Sequence, residues 1–264
     1  MVHPFCRRGA ALAAVLLLAA CQRTQVDLPA TVPPEPALVT AKAEGFEGRI
    51  AIDGLIASVP RLHELIEPRM RATMAEVQVA SQADIAARGG APQGGYFFDA
   101  EWTGSGAGAR YLNVRGRISQ FTGGAHPLMW YEAFVWDRLG QRRLALADLL
   151  RDPRSGSPAV STLATLARDA LIAVKHTRMP DYDPAADGFI GTTGDGPFAP
   201  DLARFAGNFQ LVPRGAGDAA GEGGIELLFS PYEVGPWAEG GYEVLLPAAV
   251  VRPLLKADAA KVLE

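Results

Sequence analysis

His126 is the residue on which any catalytic chemistry in this chain would have to rest. It ends the run Phe121-Thr122-Gly123-Gly124-Ala125-His126 and is followed by Pro127. A proline confines its predecessor to extended backbone, so His126 is held in that conformation. Gly123 and Gly124 permit positive φ in a turn between two strands. A general base needs a nucleophile or a positioned water within reach, and a zinc site needs two or more further ligands. Glu132 and Glu233 are the acids that a peptidoglycan- or ester-modifying hydrolase built on His126 would recruit. The other histidines of the mature chain, His63 and His176, lie in no pairing motif. No Ser-His-Asp arrangement, paired-carboxylate motif or nucleotide loop stands out, so no catalytic residue, metal ligand or cofactor is assigned. The expected place of His126 is a bond to backbone near the turn, with a binding role second.

The other group with chemical potential is aromatic. Pro231-Tyr232-Glu233-Val234-Gly235-Pro236-Trp237 carries two prolines, and Tyr242 follows shortly. Pro231 and Pro236 stiffen the connection, and its aromatics either close one end of the core or form an exposed rim. Tyr and Trp on a rim stack on sugar faces and anchor protein interfaces, so Tyr232, Trp237 and Tyr242 join His126 as candidate binding residues. Trp130, Tyr131 and Trp136 read as sheet packing. Asp181, Asp183 and Asp187-Gly188 hint at a calcium loop, but position 185 is alanine and no closing Glu follows, so a solvated loop is expected. Gly104-Ser105-Gly106-Ala107-Gly108 resembles a phosphate loop only superficially: a strand follows it, so a hairpin turn is expected.

One further reactive side chain stands at the N-terminal end. Arg7 and Arg8 precede an apolar run over 10–20, and Leu18-Ala19-Ala20-Cys21 matches the pattern cut by the lipoprotein signal peptidase. The run is about half the ~20 residues of a membrane-spanning helix, so it reads as a signal rather than an anchor. Residues 1–20 are thus a lipoprotein signal peptide, and Cys21 is the lipid attachment point. Gln22 is not the Asp that retains lipoproteins in an inner membrane. The expected location is the bacterial cell envelope, on the outer membrane facing the periplasm. Cys6 leaves with the signal, so the mature domain holds no disulfide and depends on a packed core. The formal net charge of −4 and the lack of a basic cluster argue against nucleic acid as a partner.

The elements that position these residues read as α+β, with antiparallel sheets and two or three packed helices. Pro29, Pro33, Pro34 and Pro36 make 21–45 a tether, with folding beginning near Phe46. Residues 46–122 are read as one α+β subdomain and 123–264 as a second. Leu62, Leu65, Ile66, Met70, Met74 and Val77 follow helical spacing over 61–81, with a kink or restart at Pro68, and the methionines fill core. Strands are expected over 96–103, 110–121 and 128–138. In the middle one Leu112, Val114 and Ile118 oppose Asn113, Arg115 and Arg117, as in a sheet covered on one side. Residues 141–150 read as a short strand and a helical turn, and 159–176 as an amphipathic helix. Strands at 208–213, 225–230 and 242–246 and a terminal helix at 247–256 complete the chain. Strands punctuated by helices, without βαβ alternation, indicate α+β.

Two motifs, in this order and spacing, carry a resemblance. The first is Phe121-Thr122-Gly123-Gly124-Ala125-His126-Pro127, then Asp137-Arg138-Leu139-Gly140. The second is Phe229-Ser230-Pro231-Tyr232-Glu233-Val234-Gly235-Pro236-Trp237-Ala238, then Gly240-Gly241-Tyr242-Glu243-Val244-Leu245-Leu246-Pro247. Together they resemble the paired extracellular domains of unknown function found in lysozyme-binding anti-sigma factors of the RsiV type and beside PdaC-type peptidoglycan deacetylases. The resemblance covers roughly residues 46–264. It implies an α+β fold and a sensing or binding domain whose ligand is a lysozyme-like muramidase or peptidoglycan fragments. With neither a cytoplasmic segment before the signal nor a deacetylase domain, a free-standing, lipid-anchored binding module without catalysis is expected.

Overall fold

The structure is a computed structural model that describes residues 35–191, 196–215 and 221–264. The expected signal peptide, Cys21 and the expected tether up to residue 34 lie outside the described residues. Ordered chain begins earlier than Phe46. Strand β1 (Ala37–Ala43) pairs antiparallel with β2 (Phe46–Ile52) across a turn at Gly45. Gly45 has φ +64°, and a Cβ there would lie 2.5 Å from Ala91 Cβ, so glycine is required on both counts. The tether expected over 21–45 is therefore corrected at its end, where Ala37–Ala43 form a strand. Prolines up to residue 36 obscured a strand whose inward positions are Ala37, Val39, Ala41 and Ala43, a weak apolar signal that becomes adequate once Ile50 and Phe46 lie beside it.

Helix α1 (Gly54–Ala57) is capped by the Asp53 carboxylate, which accepts from the Ile56 amide at 3.0 Å. Helix α2 (Pro60–Arg88) runs unbroken through Pro68 and ends at Gly89 in the left-handed conformation. Pro68 is exposed, so water can meet the carbonyl that the missing N–H leaves free. Leu62, Ile66, Met70, Met74, Val77 and Ile85 form the buried stripe. Because α2 carries the chain from β2 to a parallel partner, β3 (Tyr96–Ala107), the fold does contain one βαβ crossover. The rest of the large sheet is a meander of β4 (Tyr111–Phe121), β5 (Leu128–Asp137) and β6 (Arg142–Leu144), giving the order β1-β2-β3-β4-β5-β6. Gly104 to Ala107 continue β3, and the turn comes at Gly108. Small residues there leave room for α1, since a Cβ on Gly104 would lie 3.1 Å from Ile56 Cγ1.

Next come α3 (Leu146–Leu149), α4 (Pro158–Arg178) and α5 (Leu202–Phe205). Strands β7 (Phe209–Val212), β8 (Gly224–Phe229) and β9 (Tyr242–Pro247) form a second, antiparallel sheet. The expected terminal helix is instead α6 (Ala248–Val251), a 3-10 turn bearing Pro253, and α7 (Ala257–Val262). With 29-residue α2 and 21-residue α4 packed on two antiparallel-rich sheets, the fold class is α+β.

Two apolar cores result. One lies between α2 and the large sheet around Phe98, Trp102, Ile118 and Phe134; the other joins α4 to the small sheet around Leu163, Leu171, Leu227 and Val244. Strand β4 is therefore covered on both sides, not one. Leu112, Val114 and Ile118 face α2, while the Asn113 amide donates to the Leu211 carbonyl at 2.7 Å and accepts from its N–H at 2.9 Å. Tyr111 and Val135 belong to the second core and their neighbours Leu112 and Trp136 to the first. The 122/123 boundary thus cuts the β4–β5 ladder and separates no structural units.

The turn after β5 is fastened by charge. Arg110 donates to both oxygens of buried Asp137, at 3.1 and 2.8 Å. That bond, opposed by burial and helped by the Leu139 and Gly140 amides, holds the Asp137 carboxyl down at about 2. A depressed folded pKa stabilises above the unfolded value of ~3.9 and loses its contribution as pH falls toward 2, on the order of 2 kcal/mol in all. Acid titration of wild type and Asp137→Asn should therefore show stability curves that converge between about pH 4 and 2. Curves that stay parallel there would remove Asp137 from the acid transition.

Candidate functional site

The two loops singled out in the sequence meet. Residues 122–127 join β4 to β5, with Gly123 at φ +98° and Gly124 at +112°, so Thr122, both glycines and Pro127 form the loop that presents His126. Residues 230–241 join β8 to β9 and supply the other side. His126 Nδ1 lies 3.0 Å from the Pro127 carbonyl oxygen, which only a protonated nitrogen can satisfy. In the neutral imidazole, Nε2, 3.0 Å from the Tyr232 hydroxyl, then accepts from that hydroxyl. The imidazole stacks on Trp237 with ring centroids 4.2 Å apart and planes at 17°, and the Tyr232 ring tilts against it at 37°. A ledge of three rings from two loops results.

Tyr232 is the strained member. Its φ is +74°, a region that costs a bulky L-residue on the order of 1–2 kcal/mol, yet the residue is 52% exposed. The turn that imposes this is closed by the Tyr232 amide on the Gly235 carbonyl and by the Glu233 carboxylate accepting from Ser230 N at 2.7 Å. Buried Pro231 and Val234 root the turn in the core. Pro236 precedes a 3-10 turn, Trp237–Glu239, that holds Trp237 half-buried.

Tyr242 does not belong to this surface. It is 1% exposed, and its hydroxyl donates to Glu239 in a buried network below the ledge. The centre of that network is Lys175, wholly inaccessible, with Nζ 2.6 Å from Asp187 Oδ2 and 3.0 Å from Glu239 Oε2. Tyr182 donates to Asp187 at 2.7 Å, and Arg178 Nη1 donates to the Glu239 and Gly241 carbonyls while its guanidinium lies over the Tyr242 ring. Burial, reinforced by the bond to a carboxylate, raises both tyrosine hydroxyls, which stay protonated donors. For Asp187, burial pushes upward, but the Lys175 and Tyr182 bonds outweigh it and keep the carboxyl low. Of the stretch expected to be a solvated loop, Asp181 and Asp183 are indeed exposed, whereas Asp187 is drawn into this ion-pair cluster. Among the described residues no three His, Cys, Asp or Glu side chains converge as metal ligands.

The carboxylates considered beside His126 are elsewhere. Glu132 is clasped by both terminal nitrogens of Arg69 on the α2 side of β5. Glu233 is spent on the Ser230 amide. Trp130 and Trp136 share Glu132's side of the strand, and Tyr131 lies on the other, so close to Gly241 that a Cβ there would come within 2.5 Å of its ring. The sequence reading overlooked Lys175, Tyr182, Arg178 and Glu239. One signal was available: Lys175 falls four residues after Leu171 on the apolar stripe of α4, a place where an unpaired lysine would not be kept.

No protein-family model and no curated protein matches the chain. Solved structures do. A DUF3298 family protein from Pseudomonas aeruginosa PAO1 superposes with a TM-score of 0.54 at 15% identity, over 86% of this chain and 97% of its own. A DUF3298 family member from Bacteroides fragilis gives 0.52 at 15% identity, over 86% and 95%. At that identity the likeness establishes a shared fold, that of a domain of unknown function.

Proposed function

We propose, from that shared fold and the geometry of the ledge, that the protein is a non-enzymatic binding module of the cell envelope. Its contact surface is Tyr232, His126 and Trp237, and its ligand is a lysozyme-like muramidase or a peptidoglycan fragment. The observation that carries this reading is a strained, half-exposed tyrosine locked against a stacked His–Trp pair. Strain of that kind persists only where the surroundings over-determine it, and it clusters at functional sites. Both imidazole nitrogens are occupied by a carbonyl and a hydroxyl, which suits a fixed platform better than a proton carrier. The choice of ligand draws on the motif resemblance, since each motif contributes residues to the ledge.

The test is calorimetric titration of the mature Cys21→Ser protein with lysozyme and, separately, soluble muropeptides. Heat with either ligand is the expected result. At ~100 μM protein even a 10 μM affinity, about 6.8 kcal/mol, would be visible, so silence with both would remove the reading.

The envelope location rests on Cys21. Lipidation there would hold the protein through acyl chains worth about 0.8 kcal/mol per buried CH₂. With β1 starting at Ala37, the intervening residues give a leash of at most about 50 Å at ~3.3 Å per residue. Among the described residues no helix is long and apolar enough to cross a membrane. Cys21→Ser should therefore leave the membrane fraction with unchanged circular dichroism. Retention after a salt wash would mean another attachment.

A further inference from the structure

The structure assigns buried Lys175 a positioning role: through Glu239 it sets the Trp237 ring against His126. Glu239 closes the 3-10 turn whose first residue is Trp237, with its amide donating to the Pro236 carbonyl and the Gly240 amide to that of Trp237. Its carboxylate is held from one side by Lys175 Nζ at 3.0 Å and from the other by the Tyr242 hydroxyl. Lys175 is itself fixed by Asp187 at 2.6 Å, so α4, the 179–191 loop and the ledge turn converge on one ammonium. Gly235 shows how tightly the turn is drawn over this cluster. A Cβ there would lie 2.4 Å from Glu239 Oε2 and 3.2 Å from Lys175 Nζ. The turn that bends Tyr232 therefore passes directly over the carboxylate that anchors Trp237. A lysine with no access to solvent cannot touch a ligand; it can only decide where the ring two residues from its partner sits.

This inference rests on the ledge reading only for its consequence in binding, and its first readout needs no ligand. A ring stacked at 4.2 Å on an indole has its carbon-bound protons displaced upfield by the ring current. In the full mature chain, labelled at histidine, these His126 resonances are identified by their disappearance in His126→Ala. Lys175→Met should move them to the positions found in Trp237→Ala while the resonances of His63, on α2, stay in place. Should Lys175→Met fail to fold, Glu239→Gln decides, because it keeps the Lys175–Asp187 pair and a bond for Tyr242. His126 resonances unmoved in a folded Glu239→Gln protein would overturn the proposal. Resonances that move while affinity for lysozyme or muropeptide is unchanged would uphold the positioning role and instead remove the ledge as the contact surface.

Discussion

Lys175→Met is expected to destabilise the protein by ~3–5 kcal/mol at neutral pH, lowering the melting temperature by roughly 6–20 °C. Methionine matches the aliphatic stem, so packing changes little. What changes is that Asp187 and Glu239, with side chains only 8% and 19% exposed, face one another without the cation. An uncompensated buried charge costs far more than the intact pair contributes. The cost should shrink as pH falls, because Asp187, pushed up by burial and no longer held down by the Lys175 bond, can then take up a proton. The triple variant Lys175→Met, Asp187→Asn, Glu239→Gln should recover most of the loss. Urea denaturation at neutral and at lower pH provides the check, and a loss below ~1 kcal/mol at neutral pH would mean that water reaches the cluster.

Trp237→Ala should weaken ligand binding by ~2–4 kcal/mol, about 30- to 1000-fold, the loss typical of an aromatic anchor at the centre of an interface. Stability should fall much less, because the ring is only half-buried and its main partner is another ledge residue. Tyr232→Gly sharpens the comparison. Glycine adopts φ +74° without strain, so this variant should lose affinity while its stability holds or rises. If Trp237→Ala binds as wild type does, the contact lies on some other surface. If Tyr232→Gly loses affinity and stability together, the strained turn belongs to the core.

The positions of β3, β4 and β5, the alternation within β4 and the apolar spacing of α2 and α4 were legible because each follows from a single element's own residues. What escaped depended on partners distant in sequence. The strand at 37–43 presents mainly alanine inward, so its inward face is defined by Phe46 and Ile50 beside it. The outward face of β4 looked solvated because arginine and asparagine occupy it, yet Asn113 binds a strand 98 residues away and Arg115 clasps Glu243. Of the candidate site, His126, Tyr232 and Trp237 were readable from motifs rich in glycine and proline. Tyr242 was misplaced because strand parity, not motif membership, decides its side: it shares the inward face with Val244 and Leu246. Lys175 joined the site only through folding, which brings α4, the 179–191 loop and the ledge turn to one point.

The sharing of β4 and β5 between both cores means that this fold cannot be halved. A break between Phe121 and Thr122 would strip the long β4–β5 antiparallel ladder from each piece, leaving one with β4 and the other with β5 as a raw edge of unsatisfied backbone donors and acceptors. Such edges recruit strands from other molecules, so the fragments would precipitate rather than survive as small modules. A fusion partner or insertion will be tolerated only at loops away from this seam.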